Sequence, residues 1–382
     1  MFIFKRNIII STLILCLSLP AAGDCRYPLP TRLCNSGNIG GEVTFDNLYA
    51  LTNIPIGVAV SAGSEADSVL QHQAQQNTIR QHFSQIVAGN IMKMSYLHPQ
   101  EYTYAFADAD ALCNWAVVNG ISLHGHTLIW HSDYQVPDWM KNYTGDWVAM
   151  LNDHVQTIAA HYSGKVDSWD VVNEAFESTG YRNSIFFQNI GAEYLENAFV
   201  TARAADPNAL LYYNDFNLVV EPAKLGHVLD MVDDFQNRGI PIDGIGFQMH
   251  ILFGFPDNTA IRNAFQQVVN RGLKVKISEL DVPVNNPFAG GFPQYTKLTK
   301  QAAEWQKQRY HDIVRTYLNT VPPSQRGGIV VWGLWDSQSW LLSLPVYQGA
   351  DDWPLLFSSP GPNGRFTPKP ALQGFGNALM RM

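Results

Sequence analysis

Two glutamates stand where short apolar segments of the sequence end, and carboxylates in such places are candidates for catalysis. Glu174 follows residues 168–173, and Glu279 follows residues 274–278. A carboxylate at the end of a buried strand costs free energy unless it is paired or used in function. Either glutamate alone is explained equally well by a helix cap or an ion pair. Two carboxylates that converge on one space, however, are the arrangement that hydrolysis of a glycosidic bond requires.

The hydrophobic pattern predicts the scaffold that positions these glutamates. After Pro55, short apolar runs alternate with longer amphipathic runs, and Pro and Gly occur at the joints, which is typical of a parallel α/β architecture. The predicted strands are residues 56–60, 86–92, 122–129, 166–172, 209–213, 244–249, 274–278 and 328–333. The predicted helices include residues 146–161, 192–205, 223–238, 259–271 and 300–318.

A closed barrel and an open doubly wound sheet share this alternating pattern. No GxGxxG motif follows the first predicted strand and no P-loop occurs, which disfavours a nucleotide-binding sheet. Polar and aromatic residues concentrate at the carboxyl ends of the predicted strands, where barrel enzymes have their active sites. In a barrel the fourth and seventh strands face each other across the mouth. We therefore predict a single-domain (β/α)8 TIM barrel over residues 24–382, with Glu174 opposite Glu279.

The composition limits the classes of partner. The 382 residues have a formal net charge of −8, and the sequence contains no basic cluster. Such a chain is poorly suited to bind nucleic acid or an anionic membrane, so we expect neither as a partner. The ten tryptophans are suited to stacking on flat ligands such as sugars. We expect a neutral substrate, no cofactor and a monomeric protein.

The first 23 residues have the pattern of an export signal. Two basic residues precede a largely apolar stretch over residues 7–19, and Ala21 and Gly23 are small residues of the kind found at a cleavage site. Cys16 would suit a lipoprotein signal, but Leu15 stands where that signal needs a small residue. We predict a signal peptide that is cleaved after Gly23 and a secreted protein, either extracellular or periplasmic.

The remaining cysteines do not indicate a catalytic thiol. Cys25 and Cys34 lie close together near the predicted mature N-terminus, where an exported chain can oxidise them to a small disulfide loop. Cys113 lies in an apolar helical stretch and is predicted to be a buried free thiol. No histidine follows it in the pattern of a cysteine hydrolase.

Three histidines raise the question of a metal site. His124 and His126 share one face of a predicted strand, and His131 follows soon after. Metal sites usually add a carboxylate or a cysteine at ligand spacing, and none follows here. We therefore expect no metal.

Six segments provide a more specific indication. In chain order they read GHTLIWH, WDVVNEAF, YYNDFN, GIGFQMH, ISELDV and VWGLWDSQSW. Their order and spacing, from about Gly57 to the C-terminus, resemble glycoside hydrolase family 10, whose known members are mostly endo-xylanases. Six linked motifs are far more specific than any single motif. The resemblance implies a (β/α)8 barrel and a retaining endo-β-1,4-xylanase that hydrolyses internal bonds of xylan by double displacement.

The resemblance also implies roles for the two glutamates. Glu174 matches the acid/base of the family and Glu279 matches the nucleophile, and retaining enzymes hold these carboxyl groups about 5 to 5.5 Å apart. Apolar surroundings and the charge on Glu279 are expected to raise the pKa of Glu174, so that it begins protonated. Once Glu279 is esterified its charge is lost, and Glu174 can then act as a base on water.

Further residues match the family's support and substrate contacts. His250 matches a histidine that hydrogen-bonds the nucleophile, and Asp281 looks like the partner that orients its ring. Asn173 looks like the donor to the sugar 2-hydroxyl, a contact that strengthens in the transition state, and Gln248 is expected to hold the same polar layer. The residues that match contacts to the sugars are Asn90, Lys93, His126, Trp130, Trp332 and Trp340.

The sequence departs from the family pattern at four positions near the expected cleft edge. Gly89 stands where the family carries a carboxylate that grips the distal sugar, and Met94 stands in place of a Trp. Phe216 replaces a Tyr, and Asp133 replaces a Gln. These changes lie outside the catalytic pair, so they bear on the preference for one substrate over another and not on the reaction class. A retaining β-1,4-glucanase or mixed-specificity glycanase is the alternative, and the intact glutamate pair disfavours a non-catalytic sugar-binding protein.

Overall fold

Eight parallel strands close into a barrel in the computed structural model, which describes residues 44–361 and 364–380. In chain order the strands are β1 Ile56–Val60, β2 Gln85–Ala88, β3 Ser122–Trp130, β4 Ser168–Asn173, β5 Leu210–Asp215, β6 Gly244–Phe247, β7 Lys274–Leu280 and β8 Arg326–Val331. Each strand pairs in parallel with its neighbours in the chain, and β8 returns to β1 with Ile329 opposite Ile56. The predicted (β/α)8 barrel is confirmed.

Helices fill the connections between the strands. They are α1 Gln73–His82, α2 Met94–Leu97, α3 Ala107–Val118, α4 Asp138–Lys141, α5 Trp147–His161, α6 Ile185–Ile190, α7 Glu193–Ala205, α8 Pro222–Arg238, α9 Asn258–Val269, α10 Lys300–Thr320 and α11 Pro370–Leu379. Side-chain oxygens cap several N-termini and accept bonds from otherwise unpaired backbone amides. The capping residues are Asp146, Ser184, Asp257 and Thr299. Proline begins α8 and α11, where its missing amide hydrogen is not needed.

Two elements differ from the sequence-based expectation. The second strand was predicted to reach residue 92, but β2 ends at Ala88, because the chain turns after Gly89 and begins α2 at Met94. The helices named from the sequence do not include α11, whose glycines lower its helix propensity. A Cβ atom at Gly374 would lie 2.0 Å from the carbonyl oxygen of Lys307. Glycine at this position therefore allows α11 to pack closely against α10.

The barrel interior is partly polar below the cleft. Lys276 on β7 donates a 2.6 Å hydrogen bond to Gln85 on β2, and these strands are not neighbours, so the bond crosses the interior. His124 on β3 lies 2.7 Å from the hydroxyl of Ser168 on β4. Apolar side chains such as Val171 are fully buried in the core around the barrel. The interior polar groups find partners on other strands, which offsets the cost of burying them.

Two sequence predictions fall outside the described residues, namely the signal peptide over residues 1–23 and the pairing of Cys25 with Cys34. Cys113 lies in α3, where it is a buried free thiol as predicted. Within residues 44–361 and 364–380, no helix combines the length and the apolar character that crossing a membrane would require. The short antiparallel hairpin formed by Phe176–Glu177 and Gly180–Tyr181 follows β4 and borders the site described next.

Candidate active site

A cleft of about 320 Å³ opens at the carboxyl ends of the barrel strands. It brings together all twelve site residues named from the sequence, which come from different strands and loops and are distant along the chain. They are Asn90, Lys93, His126, Trp130, Asn173, Glu174, Gln248, His250, Glu279, Asp281, Trp332 and Trp340. Parallel strands present their carboxyl ends at one edge, which explains why these residues meet.

Glu174 stands immediately after β4 and is almost buried, with 8% of its surface exposed. One carboxylate oxygen accepts a 3.0 Å hydrogen bond from Trp130 Nε1, and the other accepts a 2.9 Å bond from Gln248 Nε2. Its backbone has a φ of 59°, in the left-handed region that residues other than glycine rarely adopt. The carboxylate is thus held in one orientation by donors from two other parts of the barrel.

The pKa of Glu174 differs from the sequence-based expectation. Burial raises this pKa, but the nearby His131 ring, the two hydrogen-bond donors and Lys224 lower it, and the net pKa lies below its ordinary value. The expectation of a raised pKa did not include these donors, which the sequence does not reveal. Burial lowers the pKa of His131 itself to about 4, so at neutral pH the His131 ring is uncharged and contributes little to the lowering.

Glu279, near the end of β7, is held by an amide and a histidine. Asn214 Nδ2 donates a 2.8 Å bond to one oxygen, and His250 Nε2 lies 3.2 Å from the other. His250 Nδ1 lies 2.9 Å from Asp281 Oδ2, which also accepts a 2.9 Å bond from Trp340 Nε1. Burial lowers the pKa of His250, but the two carboxylates raise it to about 10. The ring is therefore cationic at neutral pH and donates to both acids.

A layer of amide side chains connects the two glutamates. Asn214 Nδ2 lies 2.9 Å from the side-chain amide of Asn173, and Gln248 Nε2 lies 3.3 Å from the same group. Ser278 donates a 2.6 Å bond to Asn214 Oδ1, which turns the Asn214 nitrogen toward Glu279. Sequence analysis did not assign Asn214 or Ser278 to the site. Their place at the ends of two predicted strands, within or beside quoted motifs, was the available signal.

The three histidines considered as metal ligands do not converge. His124 and His126 both reach Asp170 Oδ2, at 3.1 and 2.8 Å, whereas His131 lies near Glu174. Burial raises the pKa of Asp170, but the two rings hold it well below its ordinary range. Within the described part of the chain, no group of three or more His, Cys, Asp or Glu residues is arranged to hold a metal ion. Asp170 instead orients His126 toward the cleft.

One wall of the cleft is organised by a carboxylate that sequence analysis missed. Glu65, in the loop after β1, accepts a 2.7 Å bond from Asn90 Nδ2. Asn90 in turn accepts a 3.2 Å bond from Lys93, whose ammonium lies 4.8 Å from the centre of the Trp130 ring. Burial lowers the pKa of Lys93 to about 8, although the charges of the two cleft glutamates and of Glu65 offset part of the effect.

The four departures from the family pattern lie in different environments. A Cβ atom at Gly89 would meet only a carbonyl oxygen, that of Val60 at 3.4 Å, so the backbone has room for a side chain. Gly89 and Phe216 line the cleft. Met94 is buried, whereas Asp133 is exposed. Two of the four positions therefore face the space that a substrate would occupy.

Comparison with known proteins agrees with this geometry. The family model of Glycosyl hydrolase family 10 matches residues 45–378. Endo-beta-1,4-xylanase Xyn10C of Cellvibrio japonicus is 47% identical over 349 residues, which cover 87% of this chain and 57% of that protein. Endo-1,4-beta-xylanase A of Cellvibrio japonicus (strain Ueda107) is 44% identical over 356 residues, which cover 88% of this chain and 57% of that protein. The chain thus spans less than two thirds of the length of these two relatives.

A solved structure shows the same architecture. A mutant of xylanase10C from Cellvibrio japonicus, in complex with xylopentaose, matches with a TM-score of 0.84 and 45% sequence identity. The match covers 88% of this chain and 69% of that chain. A family model that spans most of the sequence, a closed barrel and six motifs gathered at its mouth lead to one conclusion. The chain belongs to glycosyl hydrolase family 10.

Proposed function

We propose that this protein is a secreted, retaining endo-β-1,4-xylanase that hydrolyses internal β-1,4-xylosidic bonds of xylan. The observation that carries the proposal is a pair of buried carboxylates, Glu174 and Glu279, that line one cleft and are each held by separate donors. Relatives named endo-1,4-β-xylanases are 44% and 47% identical, and one such structure contains xylopentaose, which supports the substrate class.

In the first step Glu279 attacks the anomeric carbon and forms a glycosyl ester. At the same time Glu174 gives its proton to the departing glycosidic oxygen, so the bond breaks without releasing an alkoxide. The cationic His250 and the Asn214 amide donate to Glu279 and favour its ionised form. Asn173 is assigned the contact to the 2-hydroxyl of the sugar, which strengthens as positive charge develops on the ring.

In the second step a water molecule replaces the departed sugar. Glu174, now a carboxylate, takes a proton from this water as its oxygen attacks the anomeric carbon, and the ester bond to Glu279 breaks. The free Glu279 carboxylate is regenerated, and Glu174 is again protonated for the next cycle. Two inversions at one carbon return the β-configuration, so the proposal predicts β-anomeric products.

For Glu174 to begin protonated, its pKa has to rise when substrate binds. A sugar that fills the cleft displaces water and increases the free-energy cost of a charge on Glu174. His131, which is neutral at working pH, adds no positive charge that would oppose this rise. The glycosidic oxygen also offers an acceptor to the protonated acid, which favours that form.

The remaining cleft residues are assigned to sugar binding. Trp332 and Trp340 provide aromatic surfaces on which sugar rings can stack, and both lie edge-on to the His250 ring. Asn90, Lys93, His126 and Trp130 are assigned the polar contacts. Lys93, His126 and Trp130 are buried, and a buried position strengthens each hydrogen bond that they make to a sugar hydroxyl.

Activity on two polysaccharides and two variants tests the proposal. The enzyme should release reducing sugar from xylan but much less from carboxymethyl cellulose. Glu279→Ala should abolish turnover of all substrates, because no ester can form. Glu174→Ala should lose xylan but keep the first step on an aryl xylobioside whose leaving group needs little acid assistance. Equal loss of both substrates in Glu174→Ala would contradict the role of Glu174.

The anomeric form of the first products gives an independent test. Proton NMR during early hydrolysis should record the β-anomer before mutarotation. An early α-anomer would mean an inverting mechanism and would remove the nucleophile role from Glu279.

Secretion is part of the proposal and is supported by the basic and apolar pattern of the first 23 residues. N-terminal sequencing of the mature protein recovered outside the cytoplasm should give a chain that begins at Asp24. Recovery of a chain that begins at Met1 would contradict cleavage after Gly23.

A further inference from the structure

The peptide group that joins Glu174 to Ala175 is held at both ends by side chains. Its carbonyl oxygen, on Glu174, accepts a 2.9 Å bond from Arg182 Nε. Its amide, on Ala175, donates a 2.9 Å bond to the hydroxyl of Tyr213. The preceding amide, of Glu174 itself, donates to the carbonyl of Asn214 at 2.9 Å. Three bonds, from Arg182 and from two neighbouring residues of β5, therefore determine the backbone orientation of this one residue.

This anchoring matters because Glu174 has an unfavourable backbone conformation, with a φ of 59°. A residue with a Cβ atom tends to leave the left-handed region unless its surroundings prevent it. A change in φ turns the Glu174 side chain and the following peptide group together about the N–Cα bond. That rotation would break the bonds to Arg182 and Tyr213 together, and it would move the carboxylate away from Trp130 and Gln248.

The hydroxyl of Tyr213 is oriented by a buried ion pair. The hydroxyl oxygen accepts the bond from the Ala175 amide, so the hydroxyl proton is directed at a different acceptor. That acceptor is Asp215 Oδ2, which lies 2.5 Å away. Asp215 is fully buried and forms a 2.6 Å ion pair with Lys224, which is also buried. The Lys224 ammonium lies 3.4 Å from the centre of the Phe216 ring. Removing either charge would leave the other buried without its partner.

Arg182 reaches its position through the short hairpin after β4. The chain turns back over Phe176–Glu177 and Gly180–Tyr181, and the Arg182 amide donates a 2.8 Å bond to the Ala175 carbonyl. The guanidinium also donates a 2.9 Å bond to Glu177. Its side chain is 9% exposed, so the guanidinium has exchanged water for these specific acceptors.

We propose that Arg182 and Tyr213 are positioning residues for the acid/base Glu174, an inference that rests on the function proposed above. Neither residue lines the cleft, so neither contacts substrate. They act by holding the Glu174–Ala175 peptide in the orientation that aims the carboxylate at the glycosidic oxygen. Their loss should therefore affect the steps that need proton transfer from Glu174 and spare the steps that do not.

Tyr213→Phe and Arg182→Met test this inference, because they remove the hydroxyl and the guanidinium that bond this peptide group and retain much of the side-chain volume. The measurement is kcat/KM on xylohexaose, which needs acid assistance, and on 2,4-dinitrophenyl β-xylobioside, which does not. Each variant should lose tenfold or more on xylohexaose and stay within twofold of the unaltered enzyme on the aryl substrate. Loss of folded enzyme would lower both values equally.

Two matched variants separate positioning from a general loss of stability. Arg182→Gln keeps a nitrogen donor on Cδ, where Arg182 has Nε, so it should recover most of the xylohexaose activity that Arg182→Met loses. Tyr317 is also buried and bonds backbone groups through its hydroxyl, but far from Glu174 along the barrel. Tyr317→Phe should lower the unfolding temperature without separating the two substrates.

The outcomes distinguish this inference from the proposed function. Glu174→Ala is run beside the other variants and should show the largest difference between the substrates. If it does, and Tyr213→Phe and Arg182→Met lower both substrates equally or leave both unchanged, the positioning role is overturned and the proposed function stands. If Glu174→Ala itself shows no difference, the acid/base assignment fails and this inference fails with it.

Discussion

His250 is a cation between two acids, and this arrangement has a consequence for the pH dependence of activity. Its ring lies 3.2 Å from Glu279 and 2.9 Å from Asp281, and these carboxylates raise the pKa of His250 to about 10. The positive charge favours the ionised state of the nucleophile. A change at this residue should therefore alter the pH profile as well as the rate.

We expect His250→Ala to lower kcat about tenfold to hundredfold, since a hydrogen bond to a charged group contributes about 1.5 to 3 kcal/mol. The variant lacks the cation that donates to the nucleophile, so the acid limb of the profile of kcat/KM against pH should move upward. Circular dichroism provides the control for intact folding. Normal activity with an unchanged profile would reduce His250 to a structural residue.

Gly89 is the departure from the family pattern with the clearest structural consequence. It lines the cleft, and its backbone has room for a side chain. The nearby Glu65 does not replace the missing carboxylate, because it does not line the cleft and its two oxygens are directed at the Ala62 amide and at Asn90. Binding of the distal sugar should therefore depend on tryptophan stacking, Lys93 and Asn90.

We expect Gly89→Glu to bind unbranched xylo-oligosaccharides more tightly and to cleave less often next to branches. A charge-assisted hydrogen bond contributes about 1.5 to 3 kcal/mol, or roughly tenfold to hundredfold in Kd. Gly89→Gln is the matched control, since it fills the same space without the charge and should reproduce the loss on branched xylan with less gain in affinity. Tighter binding without loss on branched xylan would support the affinity argument and contradict the idea that the space beside Gly89 admits a branch substituent.

At the scale of elements, the loop after β8 is fastened to the segment before α11. This loop carries Trp332 and Trp340, and between them lies the buried Asp336. Asp336 Oδ1 accepts 2.9 Å bonds from Lys369 and from the Leu355 amide. Burial raises the pKa of Asp336 to about 6, although Lys369 acts in the opposite direction. The two tryptophans thus depend on a contact made close to the C-terminus.

We expect Lys369→Met to lower the free energy of unfolding by about 3 kcal/mol, because it leaves a buried carboxylate without its cation. Adding Asp336→Asn to this variant should recover part of the loss, since the second change removes the unpaired charge. Urea denaturation of the two variants and the unaltered protein measures both effects. A double variant less stable than Lys369→Met would contradict the charge argument.

At the scale of the whole molecule, buried histidines make stability depend on pH. His98 Nδ1 lies 3.0 Å from His154 Nδ1, and His154 Nε2 lies 2.9 Å from the carbonyl of Leu128. A carbonyl only accepts, so the proton of His154 is on Nε2 and its Nδ1 accepts from His98. Burial lowers the pKa of His98 to about 4 and that of His154 to about 3.

The unfolded chain therefore binds protons between about pH 6.5 and pH 4 that the folded protein does not bind, and the free energy of unfolding falls as the pH falls through this window. His98→Gln keeps a donor toward His154 but does not titrate. Near pH 5 this variant should take up about one proton fewer on unfolding. The slope of unfolding free energy against pH should therefore be smaller by about 1.4 kcal/mol per pH unit. The exposed His72→Gln is the control and should leave the slope unchanged.

Much of this molecule follows from local sequence. The apolar runs separated by amphipathic ones were enough to predict eight parallel strands, because strand and helix periods are properties of neighbouring residues. The missing nucleotide-binding motifs and the polar residues at strand ends favoured a barrel over an open sheet. The positions of Glu174 and Glu279 at strand ends, together with the linked motifs, were enough to name twelve residues that lie in one cleft. The close approach of Gly374 in α11 to Lys307 is a contact that local patterns do not record.

The chemistry of the site depended on closure of the barrel. The net lowering of the Glu174 pKa, the pairing of Glu65 with Asn90 and the anchoring of the Glu174–Ala175 peptide all involve groups from different strands. Sequence spacing indicates which side chain lies at the carboxyl end of a strand. It does not indicate which donors from other parts of the barrel form hydrogen bonds with that side chain. Hydrogen bonds and buried charges act over a few ångströms of space. Distances of that kind between remote residues exist only once the eight strands have closed.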